Sequence, residues 1–546
     1  MTRLLQRAAV AFGLLALCAC DHFAHVTNAR LCGGEAAACR YDPDFGYRFA
    51  PRKSARDTFI VVTFSGGGVR AAALAYGTLQ ALKRLPATSG EGTLLDEVDV
   101  ISSVSGGSVT AAWYALKGQG GLGPADQEDD LGKFLRNDDA IASLYWRGLN
   151  PLTAMRYAFT TYQRSDVLAE FFSDRLFGDA TYAAVKGRYQ NERNQPFVIL
   201  NATDLGHETG FPFTQNRFDL ICSDLDRYEL AYAVAASANF PIVFSPIGLS
   251  NYSGDCAAHR DPAWLDRGPP RWIAGYAQYD ASDNSGAKAP SPRSDGLAAL
   301  RGARQAREYL DLGLNANDKV LHLIDGGLVD NLGVQSTLAL EDEAECAPGI
   351  FQRLKKPRPP AYERMREVVF IVVNARTRSP AGIDSRIYPP NVASSLFRVI
   401  DTPLDNTILD TQNYLSAELQ AIATPSSTYQ PPGISLARTC WSNRPETRNA
   451  VSRNLDTQKP VKTRIVTIDF EMIPARPCRE KFWQFGTTWT LPTTMIDDLI
   501  ELPKALLRRS PELAEVYRDM NRPLPDFDEL KFSADFVGVC APRDPP

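Results

Sequence analysis

The chain has 546 residues, 44% of them hydrophobic and 23% charged, which is the composition of an ordinary globular protein with ample material for a core. Its length allows one large domain or two to three smaller ones. A formal net charge of −5 excludes nucleic acid as an expected partner.

At the N-terminus, Arg3 and Arg7 precede the apolar run from Ala8 to Ala19, and Cys20 and Asp21 follow directly. Two cations ahead of a short apolar segment read as an export signal, too short to span a bilayer as a stable helix. Leu17-Cys18-Ala19-Cys20 resembles a bacterial lipobox, which puts cleavage before Cys20 and a lipid on that cysteine. Ordinary secretory cleavage near Cys20 is the alternative. Removing residues 1–19 takes away Arg3 and Arg7 and no acid, so the net charge falls to −7. Membrane attachment would then rest on acyl chains and not on a basic patch. The expected location is the bacterial cell envelope, lipid-anchored on a periplasm-facing membrane. Beyond Cys18 and Cys20, eight cysteines remain, an even number as disulfides in an exported chain require. Cys32 and Cys39 are the expected local pair. No CxxC and no Cys/His cluster with zinc spacing occurs, so neither a metal nor a cofactor is expected.

Residues 20–56 show little periodicity and read as a tether. Phe59, Ile60, Val61, Val62 and Phe64 form the first strand, which runs into Ser65-Gly66-Gly67-Gly68-Val69-Arg70. Ala71, Ala72, Ala75, Leu79 and Leu82 recur at helical spacing after it. Val98, Val100 and Ile101 then lead into Ser103-Val104-Ser105-Gly106-Gly107, with a second helical run from Val109 to Leu116. Two strand–turn–helix units side by side predict a parallel sheet flanked by helices. Residues 118–195 read as an insertion with helices around Tyr145, Tyr157 and Leu168–Phe172. Strands are expected at Phe197–Leu200, Lys319–Ile324, Val368–Val373 and Ile465–Phe470, and a small-residue helix at Ala231–Ala238. Residues 251–317, rich in Pro, Gly, Ser and Asp, read as a lid or insertion. Residues 376–546 form a C-terminal extension packed on the same domain, ending in helices at Met495–Leu507 and Leu513–Met520.

A strand–glycine–helix turn aims several backbone N–H groups at one point, backed by the positive end of a helix. It can hold a phosphate or the oxyanion of an acyl transfer. The chain lacks the Gly-Lys-Ser/Thr of a P-loop and a clean GxGxxG. Ser103-Val104-Ser105-Gly106-Gly107 has the form of a G-x-S-x-G elbow with serine in place of its first glycine; such an elbow exposes a serine Oγ at the carboxyl edge of the sheet. Asp325-Gly326-Gly327 ends another strand and supplies a carboxylate.

In their order, Gly66-Gly67-Gly68-Val69-Arg70, the Ser105 elbow and Asp325-Gly326-Gly327 resemble the patatin-like phospholipases, acyl hydrolases that share a Ser–Asp dyad with cytosolic phospholipase A2. Asn201–Asp204 and Val234–Ala238 with Pro241–Pro246 add weaker matches, and the resemblance covers roughly residues 57–375. Ser65 and Ala71 stand where bacterial and plant members usually have Asp and Gly. The resemblance implies a three-layer α/β fold with a mainly parallel central sheet between helices. It also implies hydrolysis of lipid acyl esters with Ser105 as nucleophile, Asp325 as general base and the amides of Gly66, Gly67 and Gly68 as oxyanion hole. Arg70 would settle the loop or face a lipid phosphate.

The five histidines test the rival Ser-His-Asp triad. None follows Asp325, so Asp325 is not the middle member of such a triad, whereas Asp204 with His259 or His322 satisfies the usual order. His322, alternating with Leu321 and Leu323, reads as a packed or hydrogen-bonded strand residue, and Asp330 and Asn331 as caps of the following helix. The remaining alternatives are a non-catalytic envelope lipid-binding scaffold and an acyltransferase working through the same acyl-enzyme.

Overall fold

The computed structural model describes residues 25–31, 45–50, 57–123, 128–137, 139–241, 243–256, 319–338, 340, 364–377, 392–423, 461–483, 488–525, 531–534 and 536–537. The described strands, in chain order, are β1 (Ala29–Arg30), β2 (Thr58–Phe64), β3 (Val98–Val104), β4 (Phe197–Asp204), β5 (Thr209–Pro212), β6 (Ser223–Asp224), β7 (Ile247–Ser250), β8 (Val320–Asp325), β9 (Glu367–Asn374) and β10 (Lys462–Asp469). Every residue of β2, β3, β4 and β9 is buried. That burial explains why these strands read as unbroken apolar, β-branched runs: both of their faces are covered by helices.

The main sheet has the order β10-β9-β2-β3-β4-β8-β7, with β5 also paired to β4. From β10 through β4 the strands are parallel. β8 runs antiparallel to β4, β7 antiparallel to β8, and β5 antiparallel to β4. The mainly parallel sheet between helices matches the expected fold class. Two strands run against the parallel set, β5 and β8, and the last residue of β8, Asp325, pairs with Ala202.

Helices α1 (Gly68–Arg84) and α2 (Gly106–Gly121) follow β2 and β3 directly. The insertion carries α3 (Ala140–Leu149), α4 (Pro151–Phe159) and α5 (Arg164–Phe172). Asn150 accepts the Thr153 N–H at 2.9 Å and Pro151 opens α4, so α3 and α4 meet at a capped corner. Downstream come α6 (Leu230–Ser237), α7 (Val392–Ala423) and α8 (Thr493–Arg508). Neither β5 and β7 nor the length of α7 was visible in the periodicity.

The expected tether is partly absorbed into the domain. β1 pairs with β6, and Tyr47 is fully buried, stacked on Phe197 at 4.5 Å with its hydroxyl taking the Val198 N–H at 2.7 Å. Isolated aromatics in a stretch without periodicity carry no sequence signal, which is why this packing was not anticipated. The C-terminal extension supplies β10 to the sheet edge and α8 to the surface of α1. Cys222 and Cys478 each take part in a disulfide; the expected Cys32–Cys39 pair, the signal segment and the loop-rich region 257–317 lie outside the described residues. Among the described residues no helix is long and apolar enough to cross a membrane.

α1 meets α8 at Gly77, where an added Cβ would lie 2.1 Å from the Ile500 carbonyl oxygen. Gly187, inside a surface helix, has nothing within 4 Å of such a carbon. Gly77→Ala is therefore expected to lower stability by about 1–3 kcal/mol through overpacking. Gly187→Ala should raise it by about 0.5–1 kcal/mol through helix propensity. Opposite shifts of the urea midpoint in the two variants check the packing of α8 on α1.

Candidate active site

Two turns form the floor of the site, and they touch. Gly67 and Gly68 adopt φ of 142° and 62°, which a residue with a side chain rarely tolerates. Ser105, at the tip of the elbow, has φ 51° and ψ −121°, a strained conformation for a non-glycine residue and worth about 1–3 kcal/mol. A Cβ on Gly106 would sit 1.9 Å from the Gly68 carbonyl oxygen. Glycine at 106 is thus what lets the elbow lie directly on the glycine turn. Gly66 also approaches the elbow, since a Cβ there would lie 3.3 Å from the Ser105 Cβ.

Asp325 reaches this point although its strand is antiparallel. Val104 pairs with Asn201 on β4, and the next residue, Ala202, pairs with Asp325. The end of β3 and the end of β8 therefore lie against successive residues of β4. The Ser105 side chain is close enough to the Asp325 carboxylate to favour its ionised form. The Gly327 N–H donates to Asp325 Oδ1 at 2.8 Å.

A buried polar seam holds the elbow from below. The Ser105 N–H donates to Ser237 Oγ at 2.9 Å, and the Ser237 hydroxyl donates to the Asn201 carbonyl at 2.6 Å. The Ser237 carbonyl in turn accepts the Gly326 N–H at 3.2 Å, while the Asn239 carbonyl accepts the Asp325 N–H at 3.0 Å. The end of α6 thereby fixes both chain segments. Ser103, in place of the first elbow glycine, does not loosen the turn: its hydroxyl donates to the Ile199 carbonyl at 3.1 Å and lies 3.0 Å from Ser108 Oγ. Asn201 completes the seam by donating to Ser102 Oγ and the Ser103 carbonyl, both at 2.9 Å. Asn201 and Ser237 fell inside motifs visible in the sequence; their supporting roles did not show there.

One expectation changes. The Gly66 N–H is engaged by the Asn331 carbonyl at 3.1 Å, so it is not an available donor in this state. No acceptor among the described residues stands against the N–H of Gly67 or Gly68, which leaves two donors at the positive end of α1. Arg70 is 2% exposed, donates from Nε to the Ala375 carbonyl at 2.8 Å, and its guanidinium lies against Gly67. That contact ties the turn to the end of β9. Ser65 makes a second tie there, accepting the Ala375 N–H at 2.8 Å.

The histidine rivals lie elsewhere. Asp204 is fully buried and takes a hydrogen bond with His207 Nδ1 at 2.7 Å. His322 is exposed on β8 rather than packed, between the buried Leu321 and Leu323. His259 lies outside the described residues. Asp330 accepts the N–H groups of Leu332 at 3.2 Å and Gln335 at 2.6 Å, ahead of the short helix Val334–Leu338, as expected of a cap. No cluster of three or more metal-ligating side chains occurs among the described residues.

Burial pushes the Asp325 carboxyl up to about 6, against the opposing effects of the Gly327 N–H and the Ser105 hydroxyl. Desolvation outweighs both, because the ionised form loses its water and gains only two donors.

The family model for patatin-like phospholipases matches residues 62–338, which holds the glycine turn, the elbow and Asp325. The chain belongs to the patatin-like phospholipase family, a family of lipid acyl hydrolases, and has the patatin fold. Among solved structures, it is similar to human GIVD cytosolic phospholipase A2 at 15% identity, over 57% of this chain and 42% of that one, with a TM-score of 0.28. It is similar to VipD from Legionella pneumophila at 11% identity, over 86% and 68%, with a TM-score of 0.27. A third similarity, at 14% identity over 87% and 91% and a TM-score of 0.19, is to a complex of SpcU with ExoU from Pseudomonas aeruginosa. The chain spans less than half the length of the human phospholipase. At these scores the overlaps carry no weight beside the family match. No curated protein gives a significant match.

The Asp325 shift has a consequence for stability. The folded carboxyl sits near 6 and the ordinary value is 3.8, so the native state binds this proton more tightly than the unfolded chain. The associated stability is fully present below about pH 4 and is lost as pH rises through about 6. At pH 7–8 the buried carboxylate is a net burden. Asp325→Asn should therefore stabilise the fold at pH 8 by about 1–3 kcal/mol and have little effect at pH 4. Urea unfolding of wild type and variant at both pH values checks the sign.

Proposed function

We propose that the protein hydrolyses acyl esters of membrane lipids through an acyl-Ser105 intermediate, with Asp325 as general base. The observation that carries this reading is a buried carboxylate near the Ser105 side chain, with its affinity for a proton raised toward neutrality by that burial. An ordinary aspartate is too weak a base for a serine hydroxyl; one held near 6 is better matched, yet still ionised at pH 7–8. Asp325 takes the Ser105 proton as Oγ attacks the acyl carbonyl. The oxyanion that forms is placed against the N–H groups of Gly67 and Gly68 and the positive end of α1. Collapse of this intermediate expels the alcohol, which takes the proton from Asp325. Water, deprotonated by Asp325, then attacks the acyl-enzyme and releases the fatty acid.

The expected lipid at Cys20 places this chemistry on a periplasm-facing membrane. The disulfide-bonded Cys222 and Cys478 support an oxidising compartment.

The test is labelling of the full-length protein with a serine-directed fluorophosphonate beside turnover of a short-chain aryl ester. Ser105→Ala should neither label nor turn over. Asp325→Asn, checked for fold by circular dichroism, should retain structure and lose about 10²–10⁴ in kcat/KM. In wild type, kcat/KM should fall about tenfold per pH unit below pH 6, because only the ionised Asp325 accepts the serine proton. Full activity in Asp325→Asn would remove the dyad. A folded wild type that neither labels nor hydrolyses would leave a non-catalytic lipid-binding protein.

A further inference from the structure

The insertion between α2 and β4 presents an apolar face that no described part of the chain covers. Tyr145, Trp146 and Leu149 on α3 and Leu152, Met155 and Phe159 on α4 are all more than half exposed, reaching 76% at Trp146 and 81% at Phe159. Tyr145 and Leu149 are four apart, and Leu152, Met155 and Phe159 follow the three-and-four spacing of one helix face. Single exposed hydrophobic residues are common on protein surfaces. Six large ones on two consecutive short helices form a patch that requires a partner.

We propose that this helical corner is the surface by which the protein enters a lipid interface, with the six side chains immersed at the headgroup–acyl boundary. Three observations point to lipid as the occupant. The first is the residue set: Trp and Tyr beside Leu, Met and Phe suit a boundary that is wet at one end and apolar at the other. The neighbouring cations are already neutralised, Arg147 by Asp174 and Arg156 by Glu170, both at 2.7 Å. Entry is thus driven by apolar area and not by attraction to anionic headgroups.

The second is where the N-terminal segment emerges. The first described residue, His25, bonds from Nδ1 to the buried Asp166 of α5 at 2.7 Å, and Tyr232 donates to the same carboxylate oxygen at 2.9 Å. The Arg156–Glu170 pair ties α4 to α5. Cys20, the expected lipid carrier, is five residues upstream of His25 and so within about 18 Å of it even if fully extended. Tether and apolar face therefore leave the protein from adjoining elements.

The third is a strap to the site. The Ile141 N–H at the start of α3 donates to Thr490 Oγ1 at 3.4 Å. Two residues earlier, the Thr488 carbonyl accepts the Val69 N–H at 2.9 Å and lies so close to Gly68 that a Cβ there would come within 2.3 Å. Trp489, between them, meets Phe172 of α5 edge-on at 5.4 Å. Three consecutive residues thus link the apolar corner to the glycine turn, so a membrane seated on the corner lies beside the point where an ester would be held. The proposal relies on the lipid-hydrolase reading only for what the docked site then does.

The experiment uses the full-length protein in phosphatidylethanolamine/phosphatidylglycerol vesicles, with a nitroxide attached through Leu152→Cys. The label is expected to collide with oxygen and to be protected from a water-soluble nickel chelate. That contrast should persist at high salt. A label open to the nickel chelate, or shielded from both reagents as in a protein–protein contact, would overturn the proposal. A second arm uses Leu149→Glu/Phe159→Glu. It should lose tenfold or more in turnover of vesicular phospholipid while keeping wild-type turnover of a monomeric short-chain aryl ester. Equal turnover of vesicles by variant and wild type would also overturn it. Because nitroxide depth does not require catalysis, a failure of the hydrolase reading remains distinguishable from a failure of docking.

Discussion

Everything at the site depends on the contact between two backbone turns. With the Gly106 Cα packed on the Gly68 backbone, two strand–helix units that a sheet would merely set side by side share one concave spot. A single methyl at 106 would drive the turns apart. The serine would then be carried away from the only unengaged amides of the glycine turn among the described residues. Strain at Ser105 belongs to the same constraint. Its positive φ persists because Ser237 holds its N–H and α2 begins immediately after it, so the surroundings over-determine a conformation that a free chain would avoid.

Around that contact, hydroxyl and amide groups do the work that a hydrophobic core cannot. Ser103, Ser108, Ser237 and Asn201 are buried and satisfy one another or nearby carbonyls. A network of this kind tolerates little displacement, because any broken member leaves a buried polar group unpaired at about 1–3 kcal/mol. The acid of the site is deliberately less well served. Asp325 has two donors, too few to offset its loss of water, and its raised proton affinity is the direct result. Stability and basicity thus pull against each other at one residue.

Much of this architecture was legible in the sequence. Unbroken β-branched runs announced β2, β3, β4 and β9, because strands covered on both faces have no polar alternation to hide them. Gly66–Gly68, the Ser105 elbow and Asp325 stood out because each punctuates a strand with residues that only a tight turn needs. What stayed hidden were properties of pairing. Nothing local in Val320–Asp325 states that the strand runs antiparallel, nothing in the triple glycine states that the first amide is taken by Asn331, and Arg70 looks the same in sequence whether buried or solvated. Thr488 is the extreme case, an unremarkable residue in an irregular stretch whose carbonyl closes against the glycine turn. The exposed corner of α3 and α4 was missed for the opposite reason: its amphipathic spacing reads like any helix packed on a core.

The contact between Val69 and Thr488 joins residues more than four hundred positions apart in the chain. β10 closes a shorter loop, completing the sheet edge beside β9 from the last fifth of the sequence. Loops of this span form late, since the chain must bear their closure entropy before any contact rewards it. The glycine turn therefore acquires its final neighbours only after nearly the whole polypeptide has been made. A nascent chain emerging N-terminus first would carry the serine, the aspartate and the three glycines long before the geometry that unites them. Completion of the glycine turn is thus among the last events of folding, whatever has formed before it.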